Sequence, residues 1–256
     1  MEGHRHNPTG RFSDRVENYI KYRPGYPAEI IKLMQEEMGL ETHHSIADVG
    51  SGTGIFSELL LKNGNRVYAI EPNQEMRMAA ERLLHDYQNF HSISGSSEAT
   101  GLESRSVEVV TAAQAFHWFE PEATGKEFSR ILRPGGHIMF VWNDRKTEGE
   151  FAAAYEDLIV RHSTDYEQIN HRNISAGESV TKFFGQAPSR ATFANFQEFD
   201  FEGFKGRLVS SSYIPNQDHP GYPLMIKELK DLFDKHQTNG VVRIDYQTEV
   251  FWSQPD

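Results

Sequence analysis

Ser45-Ile-Ala-Asp-Val-Gly-Ser-Gly-Thr-Gly-Ile-Phe56 is the stretch on which the fold turns. Its first five residues are a short apolar run, Gly50, Gly52 and Gly54 fall at every second position, and Ile55, Phe56 and Leu59-Leu60-Leu61 follow at helical spacing. That order reads as strand, glycine turn, helix. Asn63-Gly64-Asn65 stops the helix and Arg66-Val-Tyr-Ala-Ile70 supplies a second strand, so one βαβ unit is complete by residue 70.

Outward from this unit the alternation continues. Pro72-Asn73 opens a helical stretch rich in Met, Ala and Arg. A strand is expected near Phe90–Ser94, a loop over Gly95–Arg105, a strand over Val107–Ala113 and a helix from about Glu122 to Leu132. Pro134-Gly135-Gly136 then turns the chain into a strand at His137–Trp142. Strands alternating with helices predict an α/β fold whose parallel sheet is covered on both faces, a doubly wound core. Residues 148–190 hold helical patterns with Phe151, Tyr155, Tyr166, Phe183 and Phe184 and no strand signal, which reads as a helical cap. Phe193, Phe196 and Phe199 fit helical spacing as well as a twisted strand, and Thr192–Asp200 is read as strand. Pro223–His236 is a helix by its Leu224, Ile226, Leu229, Leu232 and Phe233. Asn239-Gly240 turns into Val241–Trp252, a late strand rich in β-branched and aromatic residues.

Composition bounds the function. With 26 Lys and Arg against 37 Asp and Glu, the net charge of −11 argues against a duplex nucleic-acid binder. Seventeen Phe, ten Tyr and three Trp supply ample core material, and 256 residues suffice for one large domain. The absence of cysteine removes disulfides, thiolate nucleophiles and cysteine-ligated metals. The pairs His4 and His6, His43 and His44, and His162 with His171 lack a second matched ligand cluster, so no metal is expected. No apolar run reaches membrane length and the first residues are polar, so a cytoplasmic protein without membrane contact is expected.

The glycines themselves discriminate between ligands. A dinucleotide fingerprint G-x-G-x-x-G needs glycine at position 55, which is Ile. Glu71 ends the second strand about twenty residues after the first glycine, where a carboxylate can accept both hydrogens of a ribose diol. A nucleoside is implied; a bound pyrophosphate is not.

Asp48–Gly54, Glu71-Pro-Asn, Gly95-Ser-Ser-Glu98, Ala112-Ala-Gln-Ala-Phe-His-Trp-Phe119 and Leu132-Arg-Pro-Gly-Gly136, in this order, make the chain resemble the class I S-adenosylmethionine-dependent methyltransferases, in particular the small-molecule group with a type 11 or type 25 core. The resemblance extends through Phe12, Tyr19, Arg23-Pro24 and Tyr26-Pro27 to a lead-in that in relatives closes over the cofactor. It implies a Rossmann-like, mostly parallel seven-stranded sheet of order 3-2-1-4-5-7-6, with Tyr246–Trp252 in the reversed last strand. It also implies one methyltransferase domain: a lead-in or lid over 1–44, a cofactor-binding core over 45–147, the helical cap over 148–190, and the C-terminal part of the core over 191–256.

The resemblance carries roles to matching residues. Gly50, Ser51, Gly52 and Gly54 line the methionine and ribose of S-adenosylmethionine. Asp48 orients their loop or meets the ammonium group through water. Glu71 holds the ribose hydroxyls, and Pro72 and Met76 flank the adenine. Ser96, Ser97 and Glu98 meet its edge, Glu98 serving equally as a carboxylate that ties the loop down. Gln114 and Ala115 leave the fourth strand where the methyl group is expected, and His117 and Trp118 point to the acceptor. His117 is the candidate base for a hydroxyl or amine acceptor; Arg23 and Arg145 are candidate clamps for a carboxylate. Tyr22, Trp118, Trp142 and Tyr213 are candidate acceptor lining or core packing. The [DNS]-P-P-[YFW] signature of amine-modifying nucleic-acid and protein methyltransferases is absent after strand four, and the lack of Cys excludes the 5-methylcytosine RNA and arsenite subclasses. The expected activity is methyl transfer from S-adenosylmethionine to a small molecule, leaving S-adenosylhomocysteine. The alternatives are a non-catalytic S-adenosylmethionine-binding protein and a nicotinamide-dependent oxidoreductase.

Overall fold

A computed structural model describes residues 20–163, 176–211 and 213–255. His4, His6, Phe12, Tyr19, Tyr166 and His171, which the sequence reading used, lie outside the described residues. In chain order the elements are α1 (Glu29–Met38), β1 (Ser45–Val49), α2 (Ile55–Lys62), β2 (Arg66–Ile70), α3 (Gln74–Leu83), β3 (Phe90–Ile93) and β4 (Val107–Ala113). There follow a 3-10 turn (Phe116–Trp118), α4 (Pro121–Ile131), β5 (Leu132–Arg145), α5 (Glu150–His162), α6 (Ala176–Phe184), β6 (Ser189–Phe199), α7 (Phe201–Val209), α8 (Tyr222–His236) and β7 (Val242–Ser253).

The seven strands form one sheet in the order β3-β2-β1-β4-β5-β7-β6. β1 to β5 pair in parallel; β7 runs antiparallel between β5 and β6. This is the Rossmann-like architecture expected from the sequence. The period-2 alternation of the central strands sends residues to opposite faces. Ala47, Val49, Val110 and Ala112 join a core with Phe128 and Ile131 of α4 and Val180 of α6. Ile46 and Val109 join one with Ile30 and Met34 of α1 and Phe56 and Leu60 of α2. A third core lies beyond the carboxyl end of β5, where Tyr155, Leu158 and Ile159 of α5 meet Phe204 and Leu208 of α7, Met225 and Leu229 of α8, and Ile244 and Tyr246 of β7. The two described helices of the expected cap therefore serve different cores, α6 against α4 and α5 with α7 and α8.

Two helices escaped the sequence reading. α1 buries Ile30, Met34 and Met38 at a four-residue interval and ends on Gly39 in the left-handed region, φ 63°. α7 contains Gly203 and Gly206, poor helix formers, and holds because Asp200 caps it by accepting from the Gly203 N–H at 2.8 Å. β5 is longer than expected. Its pairing with β4 passes from Leu132 opposite Val107 to His137 opposite Val109, so Pro134-Gly135-Gly136 is a bulge inside the strand and not a turn before it.

Candidate cofactor and acceptor site

The site starts from strand register. Asp48 on β1 is opposite Thr111 on β4, and Thr111 Oγ1 donates to Asp48 Oδ1 at 3.0 Å. Ser57 Oγ, from the first turn of α2, donates to Oδ2 at 2.6 Å. Asp48 thus ties β1, β4 and α2 together beneath the glycine turn. Burial is the largest influence on its carboxyl and, against those two hydroxyls, pushes its pKa up to about 6.

The turn itself hangs on the end of β2. The N–H groups of Gly50 and Ser51 donate to the Ile70 carbonyl at 2.8 and 3.2 Å. Glu71 then closes the loop from the other side: Oε2 accepts from the Gly52 N–H and Oε1 from the Asn73 N–H, both at 2.9 Å. Burial pushes this carboxyl up as well, and the two N–H groups and Arg77 only partly offset it. Gly50 and Gly52 have φ of 69° and 58°. A Cβ on Gly50 would stand 2.5 Å from Ala115 Cβ, whereas nothing lies within 4 Å of one on Gly52. Gly50 is needed for packing against the strand β4 exit, and Gly52 leaves an open face. Beside it, the buried hydroxyls of Ser51 and Thr53 have no hydrogen-bond partner among the described residues.

Two further loops complete this rim. Asn73 caps α3, its side chain accepting from the Met76 N–H at 2.9 Å, and Met76 is buried while Pro72 is exposed. After β3, Ser97 Oγ donates to Glu98 at 2.9 Å and accepts from Thr124 Oγ1 at 2.9 Å; Glu98 also accepts from the Glu120 N–H at 3.3 Å. Burial acts most strongly on the Glu98 carboxyl and upward, but bonds from Ser96, Ser97 and Glu120 together outweigh it and hold the pKa low. Of the two readings of Glu98, these contacts describe the tie between its loop and α4.

Comparison with known proteins bears on what such a rim belongs to. The profile of a methyltransferase domain matches residues 47–140. A Schizosaccharomyces pombe protein described as uncharacterized and methyltransferase-like is 30% identical over 252 residues, 96% of this chain and 95% of that protein. The chain belongs to the class I S-adenosylmethionine-dependent methyltransferase family. An uncharacterized methyltransferase of Mycobacterium bovis is 34% identical over 134 residues, 52% of each chain. Among solved structures, a candidate type II methyltransferase from Anaeromyxobacter dehalogenans shares the fold with a TM-score of 0.70 and 21% identity, over 92% of this chain and all of that one.

In this methyltransferase-family chain the fourth strand exits through a strained residue. Gln114 is non-glycine at φ 57°, fixed by its N–H to the Val141 carbonyl at 2.8 Å and its side chain to the Asn143 carbonyl at 3.2 Å. Ala115 is buried against Gly50, and the half-buried His117 and Trp118 follow on the 3-10 turn with ring centroids 4.8 Å apart. Trp142 packs edge-on against Phe116, Phe140 and Phe251 inside the core, the second of its two readings. Tyr22 and the half-buried Tyr213 border the third core.

The two candidate clamps are engaged by protein. Arg23 donates to the Ser210 carbonyl at 3.2 Å. Arg145 pairs with Glu156 and lies over the Tyr155 ring, 4.8 Å from its centroid. Neither is thereby an obvious clamp for a ligand carboxylate. Asn143, missed in the sequence, is a junction: it donates to the Gly25 carbonyl at 3.0 Å and accepts from Thr248 on β7 and Asn195 on β6. Arg207 was also missed, since an arginine inside a short glycine-containing helix carries no pattern of its own. Among the described residues, no helix is long and apolar enough to cross a membrane.

Proposed function

We propose that the protein is an S-adenosylmethionine-dependent methyltransferase acting on a small molecule. The observation that carries this reading is Glu71 at the end of β2 with its carboxylate on the Gly52 N–H, so that the acid and the open glycine face form one edge. The residues fit the cofactor. Ser51 and Thr53 offer two spare hydroxyls, and each Glu71 oxygen retains a lone pair after its backbone bond. Gly52 admits a ligand where a side chain would stand.

When bound, the cofactor supplies an electrophilic methyl group on a leaving group that needs no protonation. Glu71 would accept the ribose hydroxyls, and Ser51 and Thr53 would hydrogen-bond the polar methionine end. Gln114, fixed in its strained conformation, and Ala115 would wall the site between cofactor and acceptor. Alignment of this kind can supply roughly 7–11 kcal/mol of a barrier. His117, on the acceptor side, removes a proton from a hydroxyl or ammonium acceptor. The net charge of −11 supports a small acceptor over nucleic acid.

Calorimetric titration of the whole chain with S-adenosylmethionine, S-adenosylhomocysteine and NAD tests the reading. Both adenosyl ligands should bind and NAD should not. Glu71→Gln, which keeps one carbonyl acceptor, should weaken both by about tenfold or more, as expected for hydrogen bonds to a charged group. Wild type that binds neither adenosyl ligand overturns the proposal.

A further inference from the structure

Arg207, on α7, is 7% exposed. Its Nε donates to the Tyr246 hydroxyl at 3.0 Å and Nη1 to Ser211 Oγ at 3.3 Å; Nη2 has no acceptor among the described residues. No carboxylate lies within 4 Å of the guanidinium among them. Its neighbours are phenols, Tyr246, Tyr155 and Tyr213, and burial holds the Tyr155 hydroxyl protonated. A guanidinium cannot escape burial by losing its proton, and an unpaired buried ion is costly. Arg145 makes the contrast. It flanks the same Tyr155, and there the fold provides Glu156 as counter-charge. At Arg207 the described residues offer hydroxyls only.

The placement is as informative as the missing charge. Tyr246 on β7 is opposite Arg145 on β5, two residues beyond Asn143, whose carbonyl holds the Gln114 side chain. At about 3.3 Å per strand residue, the Tyr246 position stands about 7 Å beyond the Gln114 attachment, outside the carboxyl ends of the parallel strands where open α/β sheets bind ligands. The lead-in covers it. Gln197 Nε2 donates to the Tyr22 carbonyl at 3.2 Å, and Gln197 Oε1 accepts from the Tyr246 hydroxyl at 2.9 Å. One chain of hydrogen bonds therefore runs from Arg207 through Tyr246 and Gln197 to the segment before Arg23.

We propose that Arg207 is the anion anchor of the acceptor site and that the acceptor is a small molecule bearing a carboxylate, which pairs with this guanidinium beneath the lead-in. The inference rests on the methyltransferase reading and specifies its substrate class. A carboxylate fits better than a neutral acceptor because Arg207 keeps an open Nη2 beside Nη1, the fork a carboxylate meets with two oxygens.

The test uses the full chain saturated with S-adenosylhomocysteine. Thermal unfolding is followed with succinate, propane-1,2,3-tricarboxylate and benzoate, each beside its amide, with sodium sulfate matching ionic strength. At least one acid should raise Tm by about 5–10 °C at a hundredfold excess over its Kd, with its amide and sulfate inert. Arg207→Met should abolish that shift, weakening the acid by about a hundredfold, and leave S-adenosylhomocysteine affinity within about twofold. Should the variant not fold, the acid-against-amide comparison on wild type decides alone. Acids no better than amides or sulfate, or an acid response surviving in Arg207→Met, overturn the anchor. Failure of S-adenosylhomocysteine to bind wild type strikes the methyltransferase reading instead, and the acid arm run without it still reports on Arg207.

Discussion

Gly50 and Gly52 share a left-handed conformation but face different neighbours, and this separates folding from binding within three residues. Alanine at either position costs about 1–2 kcal/mol for the left-handed backbone. At Gly50 the new methyl also meets Ala115 Cβ at 2.5 Å, a neighbour tied to the backbone, which adds about 1–3 kcal/mol. We expect urea denaturation to rank Gly50→Ala well below Gly52→Ala in stability, and calorimetry to find S-adenosylhomocysteine weakened at least tenfold in Gly52→Ala although it folds. Asp48 gives a second expectation at this scale. Its folded carboxyl titrates near 6 against about 3.9 unfolded, so the native state holds the extra proton. Its contribution is therefore full below pH 4 and is lost as pH rises to 6, by about 3 kcal/mol. Asp48→Asn should flatten that part of a stability–pH curve; an unchanged slope between pH 4 and 6 would show that Asp48 is not its source. The sequence exposed the glycines and Glu71 because turn chemistry is local. It could not expose the Ser57 and Thr111 partners of Asp48, which depend on strand register.

At the scale of elements, the layout was legible wherever an apolar run met glycine or proline punctuation. β1 to β4, α2, α8 and β7 follow that rule, and the reversed last strand was expected from the family resemblance. α7 was hidden because two glycines mask its helical pattern and only the cap on Asp200 supports it. The loop between β3 and β4 shows how elements are joined without such signals. Glu127 on α4 accepts from the Thr100 N–H at 2.8 Å, from Thr100 Oγ1 at 2.6 Å and from two Arg130 nitrogens. Arg130, foremost, brings its carboxyl down to about 2, despite burial. A depressed carboxyl stabilises above its unfolded pKa near 4.3 and loses that contribution as pH falls toward 2, the opposite sign to Asp48. Glu127→Gln should cost about 2–3 kcal/mol at pH 7, a charge-assisted bond's worth. The gap to wild type should shrink steadily from pH 5 to pH 2. A gap independent of pH would mean that shape, not charge, secures the loop.

Across the whole molecule, the lead-in is where distant parts of the chain converge. Gly25 offers its carbonyl to Asn143 of β5 and Asn195 of β6, Arg23 reaches Ser210 after α7, and the Tyr22 carbonyl accepts from Gln197. None of these pairs is near in sequence, so no pattern could announce them; the sequence marked the lead-in and its Arg23-Pro24 and Tyr26-Pro27, but not what they touch. The tightest contact is between Tyr22 and Gly206. A Cβ on Gly206 would lie 2.0 Å from the Tyr22 ring, so the ring rests directly on the helix backbone. This makes Gly206→Ala a test of docking rather than of helix stability. Alanine favours the helix itself by about 0.8–1 kcal/mol, so α7 should persist. The ring must nevertheless leave, and it is held against α7 by the segment that carries Arg23 and Gly25. We therefore expect native-state hydrogen exchange over residues 20–28 to quicken by about tenfold or more in Gly206→Ala, while the amides of β1 and β4 keep their protection. Equal protection of residues 20–28 in both proteins would mean that the asparagine and arginine contacts hold the lead-in without Tyr22, and that its ring is a passenger on α7.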